Sequence, residues 1–156
     1  WAFRSRYGDK RMKYEIVRMP TDQYELHETL MEYTPFLDAM YSKADEAVFG
    51  PISFILDHWL FLWDNGAGYF LVGRENDEIQ CVAMLTQYKD LWCGRPRVDI
   101  HRFAVAVETL VNEKTLLDMI DYLKSVASLM QFNLLFYCTR DEYGNEGKEL
   151  VWNGDS

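Results

Sequence analysis

Residues 99–120 read DIHRFAVAVETLVNEKTLLDMI, and the fold turns on how they divide. Val98 to Val107 is a run of β-branched, aromatic and small apolar residues with few breaks, the pattern of a buried strand. Downstream, Leu116, Leu117, Ile120, Leu123, Ala127 and Met130 recur at helical spacing, which predicts a long amphipathic helix. A strand that runs straight into a helix is a common seat for a phosphate, and such junctions carry glycine so that backbone N–H groups can close around the anion. Here the junction is ETLVNE, Glu108 to Glu113, and no glycine occurs between Arg97 and Tyr143.

Working outward, NLLFYCT (Asn133–Thr139) is short, continuous and apolar, as an interior strand is. Before the opening stretch, YFLVGR (Tyr69–Arg74), the turn ENDE and IQCVAMLTQY (Ile79–Tyr88) predict an antiparallel hairpin, followed by the loop KDLWCGRPR. Further upstream, KYEIVRM (Lys13–Met19) alternates as a strand does and Pro20 closes it. Asp22 followed by Glu25 predicts a capped helix start, with Leu26, Leu30, Tyr33 and Leu37 on its inner face. Pro35 falls inside that run and is expected to kink or end the helix. Pro51 opens a second helix with a core stripe of Ile52, Ile55, Leu56, Trp59 and Leu62, stopped by DNGAG at Asp64–Gly68. Trp59 and Trp63, one turn apart, are expected in the core. After Thr139 the tail offers a loop and an edge strand at Glu149–Trp152.

The expected fold class is therefore α/β (α+β): a mixed, mostly antiparallel sheet with helices on both faces. A length of 156 residues fits one domain. Residues 12–156 are read as that domain. Residues 1–11, WAFRSRYGDKR, are a basic extension, either a true arm or an addition to the native start.

Composition narrows the function classes. The formal net charge is -9, and without the first eleven residues it is 16 − 4 = 12 basic against 25 − 1 = 24 acidic, or −12. That argues against nonspecific binding to nucleic acid or anionic membrane. No apolar run approaches the ~20 residues of a membrane span. Cys81, Cys93 and Cys138 lack metal-ligand spacing and are expected as reduced thiols in a cytosolic setting.

The element order from Lys13 to Thr139 resembles the GNAT superfamily, the GCN5-related N-acetyltransferases. IHRFAVAV looks like that family's fourth strand, NLLFYCT like its fifth, and Leu116–Leu117 like the Leu-Leu pair near the start of the intervening helix. The resemblance implies acetyl-CoA as cofactor, with the backbone of Phe103, Ala104, Val105, Ala106 and Val107 against its pantetheine arm and Asn112 at the helix start. The family's glycine-bearing diphosphate loop is missing. Glu108 and Glu113 bracket the junction instead, and carboxylates at a helix N-terminus repel a diphosphate. The family's C-terminal helix and general-acid tyrosine have no counterpart, and no catalytic role passes to Tyr143.

Among candidate side chains, Asp99 and His101 are two apart on a strand, about 7 Å. They are either poised for proton transfer or a hydrogen-bonded pair on the sheet. With Glu108 they are the candidate bases if the chain is an enzyme. His27 and His58 read as ordinary, partly buried helix residues, and Cys138 as a small buried apolar side chain. The loop residues Tyr88, Lys89, Trp92, Arg95 and Arg97 form an aromatic and cationic set typical of contact surfaces, unless Trp92 folds back on the core.

Three functions are open. The leading expectation is a GNAT-like fold without cofactor or acyl transfer, acting through a protein partner or self-association. Small proteins of this kind occur among tailed bacteriophages as virion or accessory components. The second is an N-acetyltransferase using acetyl-CoA at an atypical site. The third is an acidic inhibitor of a basic nucleic-acid-binding protein.

Overall fold

A computed structural model describes residues 12–18, 22–105, 112–140 and 145–154. The strands are β1 (Lys13–Val17), β2 (Gly68–Glu75), β3 (Glu78–Lys89), β4 (Pro96–Val105), β5 (Leu134–Arg140) and β6 (Glu146–Asn153). The helices are α1 (Gln23–Met40), α2 (Lys43–Phe49), α3 (Ile52–Asp64) and α4 (Asn112–Met130). The sheet runs β1-β2-β3-β4-β5-β6 in sequence order, and every neighbouring pair is antiparallel except β4 and β5. The single parallel step follows from α4, which returns the chain to the starting end of the sheet, as a crossover helix must.

Both faces of the sheet are covered, and β3 contributes side chains to both cores. Cys81, Ala83 and Leu85 pack under α4 with Met119, Leu123 and Ala127. Val82 and Met84 point the other way, into a core built with Tyr33, Phe36 and Leu37 of α1 and Trp59 and Trp63 of α3. Both tryptophans are core residues, as expected. The β2–β3 hairpin turns on Asn76 and Asp77, both at positive φ, the geometry that two-residue hairpins need and that Asn and Asp tolerate.

Helix starts follow the expected chemistry at Asp22, whose carboxylate accepts from the Tyr24 and Glu25 N–H groups. Pro35 does not end α1, which runs on to Met40. Proline removes the hydrogen bond to the Met31 carbonyl, but Met31 is exposed and water can satisfy it. Burial of Phe36, Leu37 and Met40 beyond Pro35 offsets the loss.

Helix α2 lies where no helix was expected. Its signal was the pair Ser42 and Asp45, a capping box in which each side chain caps the other's backbone N–H. In α4, Leu117 is exposed at 55 % and not part of the core stripe, whereas Met119 is fully buried. Asn112 is the first described residue of helix α4. His27 and His58 are exposed, not partly buried. The edge strand in the tail is present and longer than expected, Glu146–Asn153.

Residues 1–11, Met19, Pro20, Ala106, Val107, Glu108 and Tyr143 lie outside the described residues, as does most of the β4–α4 junction.

Candidate active site

The sheet opens between β4 and β5. Only Arg97–Ile100 pair with Leu134–Tyr137. Beyond that point β4 continues as His101–Val105, paired to β3 alone, and β5 continues paired to β6 alone. Among the described residues no strand pairs with the outer edge of His101–Val105.

A β-bulge sits at the fork. Leu85 pairs with Ile100 and Met84 with Arg102, which leaves His101 as the extra residue. A bulge bends the strand and re-aims side chains. Here His101 and Arg102 both line the pocket on the α1–α3 side of the sheet. The His101 ring is held on three sides. Nε2 lies 2.7 Å from the Thr86 hydroxyl, Nδ1 lies 3.7 Å from the Cys138 thiol, and the ring meets Trp59 edge-on at 5.8 Å. Burial pushes the His101 pKa down, so the imidazole is neutral at pH 7. Burial, and then the nearby Asp99 carboxylate, push the Cys138 thiol up. Cys138 is therefore half-buried beside a histidine, not sealed in the core.

Asp99 belongs to a different cluster. It is fully buried and bound in two-pronged fashion by Arg97, Nε to Oδ1 at 2.7 Å and Nη2 to Oδ2 at 2.9 Å. The Tyr88 hydroxyl donates to Oδ2 at 2.8 Å, and Lys148 Nζ lies 3.1 Å away. Burial alone would raise the Asp99 carboxyl. The hydrogen bonds from Arg97, Tyr88 and Lys148 outweigh it and hold the carboxyl below its ordinary value. Such a carboxylate is a structural anchor and a poor proton acceptor. Arg97 also reaches Asp90 at 2.6 Å and stacks 3.7 Å over Phe136, so the ion cluster ties the β3–β4 loop to β5.

These placements split the set of five loop residues. Arg97 is 8 % exposed and committed to Asp90 and Asp99, so it is not available to a partner. Tyr88 serves the same cluster, and Arg95 is bonded to Asn153 of β6. Trp92 does not fold back: it is 97 % exposed, beside Leu91 at 100 %. Asp90 holds that tip rigid, its Oδ1 accepting from the Trp92 and Cys93 N–H groups.

A cavity of about 170 Å³ adjoins the bulge. Its walls are largely apolar side chains of α1 and α3 with Met84, and its polar end is His101, Arg102 and Glu146. Arg102 is clamped there, 2.7 Å from Asp45 and 2.7 Å from Glu146, with the Met40 carbonyl at 3.2 Å. Sequence spacing could not show this site. Thr86, Cys138, Arg102, Asp45 and Glu146 come from four separate strands and a helix. Among the described residues no group of His, Cys, Asp and Glu could hold a metal ion, and no helix is long and apolar enough to cross a membrane.

A mixed six-stranded sheet with one parallel step, helices on both faces, and a fork with a bulge at the fourth strand together make the GNAT fold. Solved structures agree. The chain is similar to a ribosomal-protein-alanine N-acetyltransferase from Brucella melitensis biovar Abortus 2308, with a TM-score of 0.55 and 13% identity over 81% of this chain and 78% of that one. It is also similar to an aminoglycoside acetyltransferase from an uncultured soil metagenomic sample, in complex with sisomicin, with a TM-score of 0.51 and 15% identity over 86% and 81%. A third is the NatC complex bound to Gag peptide and CoA, with a TM-score of 0.51 and 16% identity over 82% and 76%. No protein-family model and no curated protein matches the chain.

Proposed function

We propose that this chain transfers an acyl group from a thioester to an amine at the β4–β5 fork. The observation that carries the reading is the parting of the two strands after four paired residues, with His101 bulged out at the fork and a pocket beside it. A scaffold released from acyl transfer has no need of an unpaired strand edge, since an open edge invites unwanted pairing. The likeness in fold to several acetyltransferases supports the same reading.

The residues take the following parts. The outer backbone edge of Phe103, Ala104 and Val105 hydrogen-bonds the amide groups of a pantetheine arm, as an added strand would. Acetyl-CoA, when bound, supplies an activated acyl thioester. His101 takes the proton of the incoming amine. Thr86 at Nε2 and Cys138 at Nδ1 fix the orientation of the ring. Positioning of amine and thioester in one slot contributes most of the rate, so a single base suffices. Asp99 holds the strands in register and is not a base. The acidic junction at Glu108 and Glu113 opposes the diphosphate and weakens cofactor binding.

Acetyl-CoA titrated against thermal stability tests the reading. At 100 times its dissociation constant, a ligand of the folded state alone adds about 2.7 kcal/mol. For a chain of this length that raises Tm by roughly 5–11 °C. No shift at millimolar acetyl-CoA, together with no acyl transfer to any of a panel of amines, would remove the proposal.

One observation favours a second reading, a GNAT-fold scaffold that acts by contact with a protein partner or a second copy. Leu91 and Trp92 stand fully exposed on a tip that Asp90 makes rigid, and a pre-ordered aromatic is the usual anchor of an interface. Under that reading Trp92→Ala abolishes association seen by sedimentation and leaves Tm unchanged. A sample that is monomeric at high concentration and captures no protein would dismiss it.

A further inference from the structure

We infer that the outer face of α3 is a contact surface for a second copy of this chain, the two α3 helices lying antiparallel across a two-fold axis. The surface is distinct from the Leu91–Trp92 tip, and the inference does not rest on acyl transfer.

Helix α3 is apolar on two sides. Its inner side buries Trp59 and Trp63 in the core, while Ile52, Ile55 and Leu56 line the cavity. Its outer side carries Phe54 and Phe61, each 62 % exposed, with exposed Asp57 and His58 between them. At 100° per residue these four positions fall within about 100° of arc and form one outward stripe. The Phe54 ring rests beside Gly50, in the joint between α2 and α3, which limits its freedom before any contact is made. A single exposed aromatic is ordinary. Two on one stripe, on a helix whose other side is already in the core, mark a helix that lies between two bodies.

The order of the stripe identifies the second body. Positions 54, 57, 58 and 61 read Phe, Asp, His, Phe, with the same spacing from either end. An antiparallel meeting about an axis between 57 and 58 sets Phe54 against the partner's Phe61 and Asp57 against the partner's His58. Symmetry repeats both contacts. An imidazole carries a ring N–H in either tautomer, and the Asp57 carboxylate accepts it. This is the self-complementary patch that a two-fold contact needs. An unrelated partner would impose no such mirror.

Charge argues against the other occupants. A helix that lies on an anionic membrane carries Lys and Arg along its polar edge. Helix α3 has neither, and its charged residues are Asp57, Asp64 and, when protonated, His58. With 13 residues it is about 20 Å long, less than the ~800 Å² per partner of a standard interface. The dimer is therefore expected to be weak, with a dissociation constant of about micromolar or above.

The test is sedimentation of the full chain from about 5 to about 500 µM, a range that brackets such a constant. A closed monomer–dimer equilibrium is expected. Phe61→Ala should weaken it at least about tenfold, because the loss occurs twice in each dimer. Asp57→His and His58→Asp should each weaken it about fivefold, since each sets like groups face to face. The double variant exchanges the two residues and restores both pairs, so it should return to within about twofold of the parent. Only the antiparallel register about that axis gives this recovery. All these positions are exposed, so Tm should not move, and Phe54→Ala replaces any variant whose Tm falls. A chain that stays monomeric, a mass that grows past the dimer, or a double variant no better than the singles would overturn the inference. So would a dimer that Trp92→Ala dissolves and Phe61→Ala does not, which moves the contact to the loop tip. A different protein captured through Phe54 and Phe61 by a monomeric chain would overturn it as well. Mass alone is read, so loss of the acyl-transfer reading leaves the dimer standing.

Discussion

Replacing Arg97 by methionine is the sharpest test of how the fork is held. Arg97 makes both of its paired hydrogen bonds to a carboxylate that no solvent reaches, and a third ionic contact to Asp90. Methionine keeps an unbranched apolar stem against Phe136 but leaves Asp99 with only Tyr88 and Lys148. Removing one partner of a buried pair costs about 3–5 kcal/mol, because the remaining charge is stranded. Against a total stability of about 5–15 kcal/mol that is a large share. It corresponds to a fall in Tm of roughly 6–20 °C. The cost comes from the stranded charge and not from lost packing, so the double variant Arg97→Met with Asp99→Asn should be more stable than Arg97→Met alone. Asparagine can still accept from Tyr88, and no buried charge remains. Urea unfolding of the parent, both single variants and the double variant gives the coupling energy. If the two losses simply add, or if Arg97→Met costs under about 1 kcal/mol, the ion cluster is not what holds β4 to β5 and to the loop.

Pro35→Ala should stabilise the chain by about 1–3 kcal/mol, since it restores a hydrogen bond inside a continuous helix at an exposed site; unfolding curves that coincide with the parent would show that α1 is already broken there. Stability should decline as pH falls below about 6.5, the ordinary histidine value. His101 has a lowered pKa when folded, so in that window the unfolded chain binds a proton that the folded chain refuses. The decline should be shallower in His101→Gln, and identical slopes would place the titration elsewhere. Thiol titration should consume exposed Cys93 at once, half-buried Cys138 slowly, and Cys81 only on unfolding, because burial seals it and raises its pKa to about 11. Fast modification of two thiols in the folded state would contradict that order.

The strands and long helices were legible because their signals are local. Asp22 with Glu25, the hairpin turn at Asn76–Asp77 and the apolar run Leu134–Phe136 each declare themselves within a few residues. The capping box at Ser42 and Asp45 was equally local and marks α2. Pro35 misled because helix propensity is worth a few kcal/mol, and the apolar face beyond it buries enough to outweigh that. Leu117 misled because a Leu-Leu pair puts two neighbours 100° apart on a helix, and only one of them can face the sheet.

The candidate site was legible only in part. Asp99 and His101 stood out by residue type, yet their parts could not be told apart from spacing. A one-residue bulge separates them, sending Asp99 to a buried arginine and His101 to a pocket. Period-two spacing assumes a regular strand, and no local pattern announces a bulge. What the sequence alone determined is the order of the strands and long helices, the acidic balance and the glycine-free junction, for these depend only on composition and near neighbours. What tertiary structure decided is which charges cancel, which histidine meets which thiol, and where the sheet parts. Those contacts join residues up to 62 positions apart, as Arg102 meets Met40, and only the folded chain brings them within reach.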